Sequence, residues 1–389
     1  MTIINGIKFD ILPEAHQAFV ARRLLDLKAK LRAEVHGSSD ERSLRLATWN
    51  LMHFGNGGAY RRTPESMLYI GEIIDHFDLV AVQEVNRDLG ALERLVERHL
   101  GPAWDYIVTD TSGANKGGDA GNDERLAFLY RKAKVTFRKE AGEVVLPEGQ
   151  EIAAPGSDTG NGEREVQFAR TPFSVAFQSG WFKFKLVTVH IFYGDKSESS
   201  PEMEQRRREI HKIAGFLAER QELEQTALIN RAREDGWDEP QDAGRAANYL
   251  LLGDFNIVSP EHHTMQALKD AGFEVPTELD ATNLSGTHHY DQIALKAADP
   301  RFEFIRSGVF DMFDAVYRGE DAAHYVDIVK PDVFEKNSRK QQRSRAQKER
   351  YYKTYYRRHQ MSDHKLLWCA LKVDYSDDYL NRIVAEGGD

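Results

Sequence analysis

The sequence predicts an α+β fold of two mixed β-sheets packed together with helices outside. Three observations predict it. Short apolar runs with strand composition recur between residues 44 and 373. Segments of helical periodicity separate several of them. Two pairs of runs lie close enough along the chain to form hairpins. Strands and helices that alternate loosely, with antiparallel pairs among them, suit mixed sheets with helices on their outer faces.

Taken in order, residues 13–36 read as an amphipathic helix through Phe19, Leu24, Leu27 and Leu31. HGSSDERS (36–43) reads as a linker. LRLATWNL (44–51) is a buried strand running into a glycine-rich turn. Residues 64–76 read as helix, LVAVQEV (79–85) as a second buried strand, 88–99 as helix and WDYIVTD (104–110) as a third strand. SGANKGGDAGND (112–123) and residues 147–163 are surface loops by composition. RLAFLYR pairs with KVTFRKE as one hairpin, and TPFSVAFQ with FKFKLVTVHIFY as another. A long helix covers about 200–233, followed by a strand at 248–258, a helix at 260–271, and strands at 288–295 and 302–311. A basic helical stretch is expected at about 335–358, and HKLLWCALKV (364–373) is the last core strand. No internal repeat is present.

A chain of 389 residues suggests two domains, or one large domain with insertions. With 41% hydrophobic and 29% charged residues it has ample material for a core. Cys369 is the single cysteine, so an intrachain disulfide is excluded. The first residues show no basic stretch followed by an apolar run, and no segment reaches the roughly 18–20 apolar residues of a membrane helix. The expectation is a cytoplasmic protein with no membrane partner.

The chemistry is concentrated at strand ends. LATWNL ends near Asn50, LVAVQEV at Glu84, LVTVH at His190 and YLLLGDFN at Asp254 and Asn256; YDQIAL begins at Asp291 and MSDHKLLW at Asp363 and His364. A strand end is where a rigid scaffold presents a side chain at a cleft. Taken singly, each has a plain structural reading: a turn former, an Asx-turn, a satisfied histidine or a cap. Together the six ends supply carboxylates and carboxamides, not a cysteine cluster. Hard oxygen donors of that kind suit Mg2+, Mn2+ or Ca2+ rather than structural zinc.

TWNL, QEV, TVH, GDFN, YDQIAL and SDH, in this order over about residues 44–373, resemble the endonuclease/exonuclease/phosphatase family. Pancreatic-type deoxyribonuclease and the abasic-site endonucleases are its familiar members. The resemblance implies a four-layer α/β/β/α sandwich over residues 44–373, with residues 1–43 a helical extension and 374–389 a tail. It implies that Asn50 and Glu84 sit at the metal site, Glu84 as principal ligand, with Asp363 near the same ion. Asp254 would position or deprotonate the attacking water, and Asn256 would hydrogen-bond the phosphate. His364 would stabilise negative charge, oriented by Asp291. His190 resembles the family's second histidine, with Glu124 as its carboxylate partner. Arg170 resembles an arginine that contacts DNA phosphate. The sequence departs from the deoxyribonuclease pattern after QEV, where Asn86 stands in place of an arginine, and Arg87 is the candidate substitute.

Phosphodiester hydrolysis needs a cation to offset phosphoryl charge, a positioned water and help for the leaving oxygen, and these residues can supply all three. One magnesium and in-line attack are expected. The net charge of −10 argues against a general nucleic-acid binder. However, residues 330–358 hold 11 Lys+Arg against 3 Asp+Glu, which leaves −18 on the remainder. This segment leads directly into Ser362-Asp363-His364, so Arg343, Arg345 and Lys348 are candidate phosphate contacts. Tyr352, one of four interleaved tyrosines, is a candidate for base stacking. The plain alternative is a solvated helix whose Tyr352 and Tyr356, four apart, pack inward.

The expected substrate is nucleic acid, DNA ahead of RNA. A lipid head group or small phosphate ester is the alternative, and a non-catalytic binding protein on the same fold the third reading. HHYDQIAL stands where the inositol-phosphatase branch carries a PAWCDR-like motif, and a sphingomyelinase-like enzyme would carry a secretion signal. The complete set of proposed catalytic residues argues against the non-catalytic reading.

Overall fold

The computed structural model describes residues 12–36, 42–110, 124–155, 163–195, 197–234 and 247–387. The expected loop at 112–123, the middle of the 36–43 linker and residues 156–162 lie outside the described residues.

The architecture is the predicted sandwich. Strands β1 (Ser43–Phe54), β2 (Leu79–Asn86), β3 (Trp104–Val108), β4 (Glu124–Arg131), β12 (Phe304–Phe310) and β13 (Leu366–Lys372) form a six-stranded sheet in the order β12-β13-β1-β2-β4-β3. Strands β5 (Thr136–Glu143), β8 (Phe173–Ser179), β9 (Phe182–His190), β10 (Tyr249–Asp254) and β11 (Asp291–Lys296) form a five-stranded sheet in the order β11-β10-β9-β8-β5. Both sheets are mixed. β1 runs parallel to β2 and antiparallel to β13. β10 runs parallel to β9 and antiparallel to β11.

Alternation divides each strand between two cores. In β1, Leu44 and Leu46 face the other sheet, while Ala47, Trp49 and Leu51 face the helices. The inter-sheet core includes Leu79, Phe128, Phe177, Leu186, Leu250, Leu252 and Ile293, and it explains why these central strands read as continuous apolar runs. Helices α1 (Glu14–Leu31), α2 (Pro64–Ile74) and α3 (Gly90–Arg94, continued over Leu95–Leu100) cover the six-stranded sheet. Helices α4 (Pro201–Glu234) and α5 (His263–Asp270) cover the other. No described helix is long and apolar enough to cross a membrane.

Three expectations are corrected. RLAFLYR and KVTFRKE are not a hairpin: β4 pairs with β2 and β3, while β5 pairs with β8. The short link between them carries the chain from one sheet to the other, anchored by buried Val135. The 147–163 loop contains β6 (Ile152–Pro155), which pairs with β7 (Glu163–Val166), and Ile152, Ala154 and Val166 pack in the core beneath α4. The basic stretch is not one helix from 335. After the short helix α6 (Ala322–His324, continued over Tyr325–Val329) the chain turns through Asp332–Phe334, and α7 begins only at Arg345. Ser344 sets that start: its Oγ accepts from Gln347 N while the Gln347 amide accepts from Ser344 N. α7 (Arg345–Tyr351) continues through Tyr352–Tyr356 into α8 (Arg357–Gln360), and α9 (Ser376–Gly387) closes the chain.

α1 is packed against the body of the protein. Val20, Leu24, Leu27 and Leu31 are buried on one face, and His16 Nε2 meets buried Glu65 Oε2 of α2 at 2.9 Å. Tyr69 and Tyr325 donate their hydroxyls to the other Glu65 oxygen at 2.9 and 2.5 Å.

Candidate active site

The parallel pairs β1–β2 and β9–β10 place their C-terminal ends on the same edge of the sandwich. β9 ends at His190, which lies in register with Asp254 at the end of β10 and, across β11, Asp291. In the other sheet Asn50 lies in register with Gln83, next to Glu84. His364 enters just before β13, held where its backbone N donates to Ser362 Oγ at 2.9 Å and its carbonyl accepts from Trp49 Nε1 at 3.1 Å.

Asp254 is the centre. It is buried, and its Oδ1 accepts from Asn256 N at 3.0 Å, the Asx-turn expected of GDFN. Its Oδ2 accepts from Asn50 Nδ2 at 3.0 Å, and the Nε2 atoms of His190 and His364 lie 3.6 and 3.7 Å from the same oxygen. The far nitrogen of each histidine faces its own carboxylate: His364 Nδ1 lies 2.7 Å from Asp291 Oδ2, and His190 Nδ1 3.2 Å from Glu124 Oε2. Arg170 Nε donates to the same Glu124 oxygen. Gly253 carries φ +136°, and a Cβ there would strike the Val189 carbonyl, so only glycine lets β10 run this close to β9.

Charges follow the geometry. Burial opposes a charge on His364, but Asp291 and Asp254, with the Asp291 hydrogen bond and Asp363, hold its imidazolium well above the usual histidine range. Burial likewise opposes a charge on Glu124, and His190 and Arg170 overcome it, holding the carboxyl down to about 2. Asp291 Oδ1 is buried with no hydrogen-bond partner among the described residues.

Glu84 sits on the opposite wall with φ +60°. Its Oε1 accepts from Asn50 Nδ2 at 2.8 Å and its Oε2 from His53 N at 2.7 Å. Ligand atoms of His53, Glu84 and Glu124 lie within 4.8 Å of one another, as do those of Asp254, Asp291 and His364. Two carboxylates this close favour a cation between them, and an oxygen-rich donor set fits a divalent ion. Asp363 belongs to neither group, although its charge acts on His364, Arg62 and His359. Asn50 Oδ1 accepts from Met52 N at 2.9 Å, so its carbonyl holds the irregularity near the end of β1.

The structure thus brings Asn50, Glu84, Glu124, His190, Asp254, Asn256, Asp291 and His364 together, with Arg170 at their margin. It does not gather the basic-segment candidates in the same way. Arg343 donates to the carbonyls of Val333 and Lys336 at 2.8 and 2.6 Å and lies over the Tyr351 ring. Arg345 pairs with Asp327 and Glu349, and Lys348 with Glu335. Tyr352 is fully buried and donates its hydroxyl to Arg318 O at 2.9 Å. Its ring is a core ring, which corrects the base-stacking expectation; four-residue spacing with buried Tyr356 was the signal for it. Arg87 is exposed beyond the end of β2.

Three site residues have no local signature in the sequence. Arg62 donates to the carbonyls of Leu51, Met52, Tyr60, His359 and Met361, which clamps the exit of β1 to the approach of His364. Burial lowers its guanidinium to about 10. Arg206 of α4 holds the carbonyls of Phe192, Tyr193, Asp195 and Asn256, which fixes the loops after β9 and β10. His53 is the third.

The model of the Endonuclease/Exonuclease/phosphatase family matches residues 47–319. The chain belongs to this family. Its members are metal-dependent hydrolases of phosphoester bonds. Similar solved structures include an endonuclease/exonuclease/phosphatase family protein from Bacteroides thetaiotaomicron, 21% identical over 85% of this chain and 98% of that one, TM-score 0.47. A mannosyl-6-phosphatase from Bacteroides thetaiotaomicron VPI-5482 is 20% identical over 84% and 99%, TM-score 0.46. The human Nocturnin catalytic domain with bound sulfate anion is 12% identical over 86% and 95%, TM-score 0.45. No curated protein matches the chain.

Proposed function

We propose that this protein is a metal-dependent phosphodiesterase that hydrolyses nucleic acid, DNA ahead of RNA, by in-line attack of water. The observation that carries it is the convergence of two carboxylate-backed histidines on Asp254 Oδ2, facing Glu84. Asp254, held by Asn50 and Asn256 N, takes a proton from the attacking water as its oxygen bonds to phosphorus. His364, kept charged by Asp291, donates a hydrogen bond to a phosphoryl oxygen as negative charge grows there. His190, oriented by Glu124, stands on the other side of Asp254 to contact the phosphate. Asn256 keeps one N–H for the phosphate after its Nδ2 donates to Ile191 O at 2.8 Å. Glu84, with Asn50 and Asp363 nearby, would hold Mg2+ (Mn2+ and Ca2+ being the other hard candidates), which when bound offsets the phosphoryl charge.

Nucleic acid is supported by the exposed cations of 330–358, the segment that leads into Asp363 and His364. Exposed Tyr355 of that segment stands against His359, which lies tilted against Tyr60, itself against His53. The internal pairing of Arg343, Arg345 and Lys348 favours a second reading, a small phosphate ester or lipid head group that needs no polyanion track.

The deciding experiment is nicking of supercoiled plasmid with magnesium, beside an EDTA control and an Asp254→Ala variant. Metal-dependent nicking that drops about 10²-fold or more in the variant supports the reading. Hydrolysis of bis-(p-nitrophenyl) phosphate without cleavage of any plasmid, single strand or RNA would shift the substrate to the small ester.

A further inference from the structure

The irregularity between Asn50 and Phe54, near the end of β1, is built to aim one imidazole at Glu84. Met52 and His53 both adopt left-handed backbone, φ +38° and +53°, which residues other than glycine, asparagine, aspartate and histidine rarely occupy, so the conformation is most costly at Met52. Four contacts hold this segment there. Asn50 Oδ1 accepts from Met52 N, and Glu84 Oε2 accepts from His53 N. The Arg62 guanidinium grips the Leu51 and Met52 carbonyls. Asn86, standing where deoxyribonuclease-like sequences carry arginine, donates to Asn56 Oδ1, and a Cβ on Gly55 would lie 2.9 Å from the Asn86 Cβ.

The result places His53 Nδ1 3.5 Å from Glu84 Oε2, with the ring half-exposed and braced edgewise by Tyr60. That separation is longer than a good hydrogen bond. Two donor atoms about 2.1–2.3 Å from one shared ion stand roughly 3.0–3.7 Å apart, a span that includes it. An imidazole and a carboxylate held at this distance can share a cation between them. Glu124, the third member of the group, already serves Arg170 and His190. Glu84 Oε2 accepts one hydrogen bond, from His53 N, and keeps a second lone pair, so it and His53 Nδ1 can share an ion.

We infer that His53 is a nitrogen ligand to the divalent ion at Glu84, making the seat a mixed nitrogen and oxygen site that selects Mn2+ or a later transition ion over Mg2+. This rests on the proposed role of Glu84. Imidazole suits transition ions, while magnesium strongly prefers oxygen and water. Such an enzyme would bind Mn2+ far more tightly than Mg2+, a ranking that oxygen donors alone give only weakly.

The test is Mn2+ and Mg2+ titration by calorimetry, with pulsed EPR of the Mn2+ complex, on the full chain and on His53→Asn and Glu84→Gln variants. Asparagine tolerates the positive φ, so the turn survives, and an unchanged thermal melt checks that it has. The expected result is a nitrogen modulation in the wild-type EPR signal that disappears in His53→Asn. Mn2+ affinity in that variant falls tenfold or more while Mg2+ affinity changes less than threefold. Nitrogen modulation and Mn2+ affinity that persist in His53→Asn but collapse in Glu84→Gln would overturn the His53 assignment alone. Wild-type Mn2+ binding in Glu84→Gln would instead overturn the placement of the ion at Glu84.

Discussion

At the scale of single residues, the site depends on which groups hold protons. His364 keeps its charge because Asp291 and Asp254 face it in a buried setting. Asp291→Asn removes the nearer carboxylate, so the imidazole pKa should fall and turnover should drop by about 10²-fold, with the pH–rate profile losing activity at lower pH than in the wild type. Histidine NMR titration of the variant checks this, and a profile of unchanged shape would remove His364 from the charged role. Glu124 offers a second test through stability. Its folded pKa of about 2 lies below the ordinary 4.5, so it binds fewer protons folded than unfolded. Its contribution is therefore complete above about pH 4.5 and is lost as the pH falls towards 2. The stability gap between wild type and Glu124→Gln, from urea titrations at several pH values, should be constant near neutrality and close below pH 4.5. A gap that widened on acidification would mean that Arg170 and His190 do not hold the carboxylate charged.

At the scale of elements, what the sequence made legible and what it hid have different causes. Asn50, Glu84, His190, Asp254 and Asp291 could be found because each ends or begins an apolar strand, a local signal. Arg62 and Arg206 could not, since their partners are mainly backbone carbonyls from segments brought together only by folding. β4 and β5 look like a hairpin because sequence spacing does not reveal that Val135 carries the chain between sheets. The role of α1 was equally hidden, because His16 and Glu65 are 49 residues apart and neither lies in a motif. His16→Ala should leave one oxygen of buried Glu65 uncompensated and destabilise the protein by about 3 kcal/mol, read as a lower urea midpoint and faster proteolysis within α1. An unchanged midpoint would show that Val20, Leu24, Leu27 and Leu31 suffice to hold the helix.

At the scale of the whole molecule, charge is segregated. Residues 330–358 carry +8 within a chain of net −10, yet the structure divides their cations into two kinds. Arg343, Arg345 and Lys348 are committed to carbonyls and carboxylates of the same region. Arg339, Lys340, Arg350 and Lys353 are exposed. If this face holds a phosphate backbone, the second kind, with exposed Lys330 and Lys336, can displace its counterions without giving up a partner named above. Neutralising Arg339, Lys340, Arg350 and Lys353 to glutamine should weaken binding to a single-stranded oligonucleotide and flatten the dependence of log affinity on log salt, by about 0.7 for each phosphate no longer neutralised. The melting temperature should move little, because exposed charges contribute little to stability. The Arg343→Ala variant should do the reverse, lowering the melting temperature by freeing backbone carbonyls while leaving the salt slope intact. Fluorescence anisotropy over a salt series, with melts of the same variants, separates the two effects. Equal slopes in the wild type and the fourfold variant would take nucleic acid off this face and favour the small-ester substrate at the same Asp254-centred site.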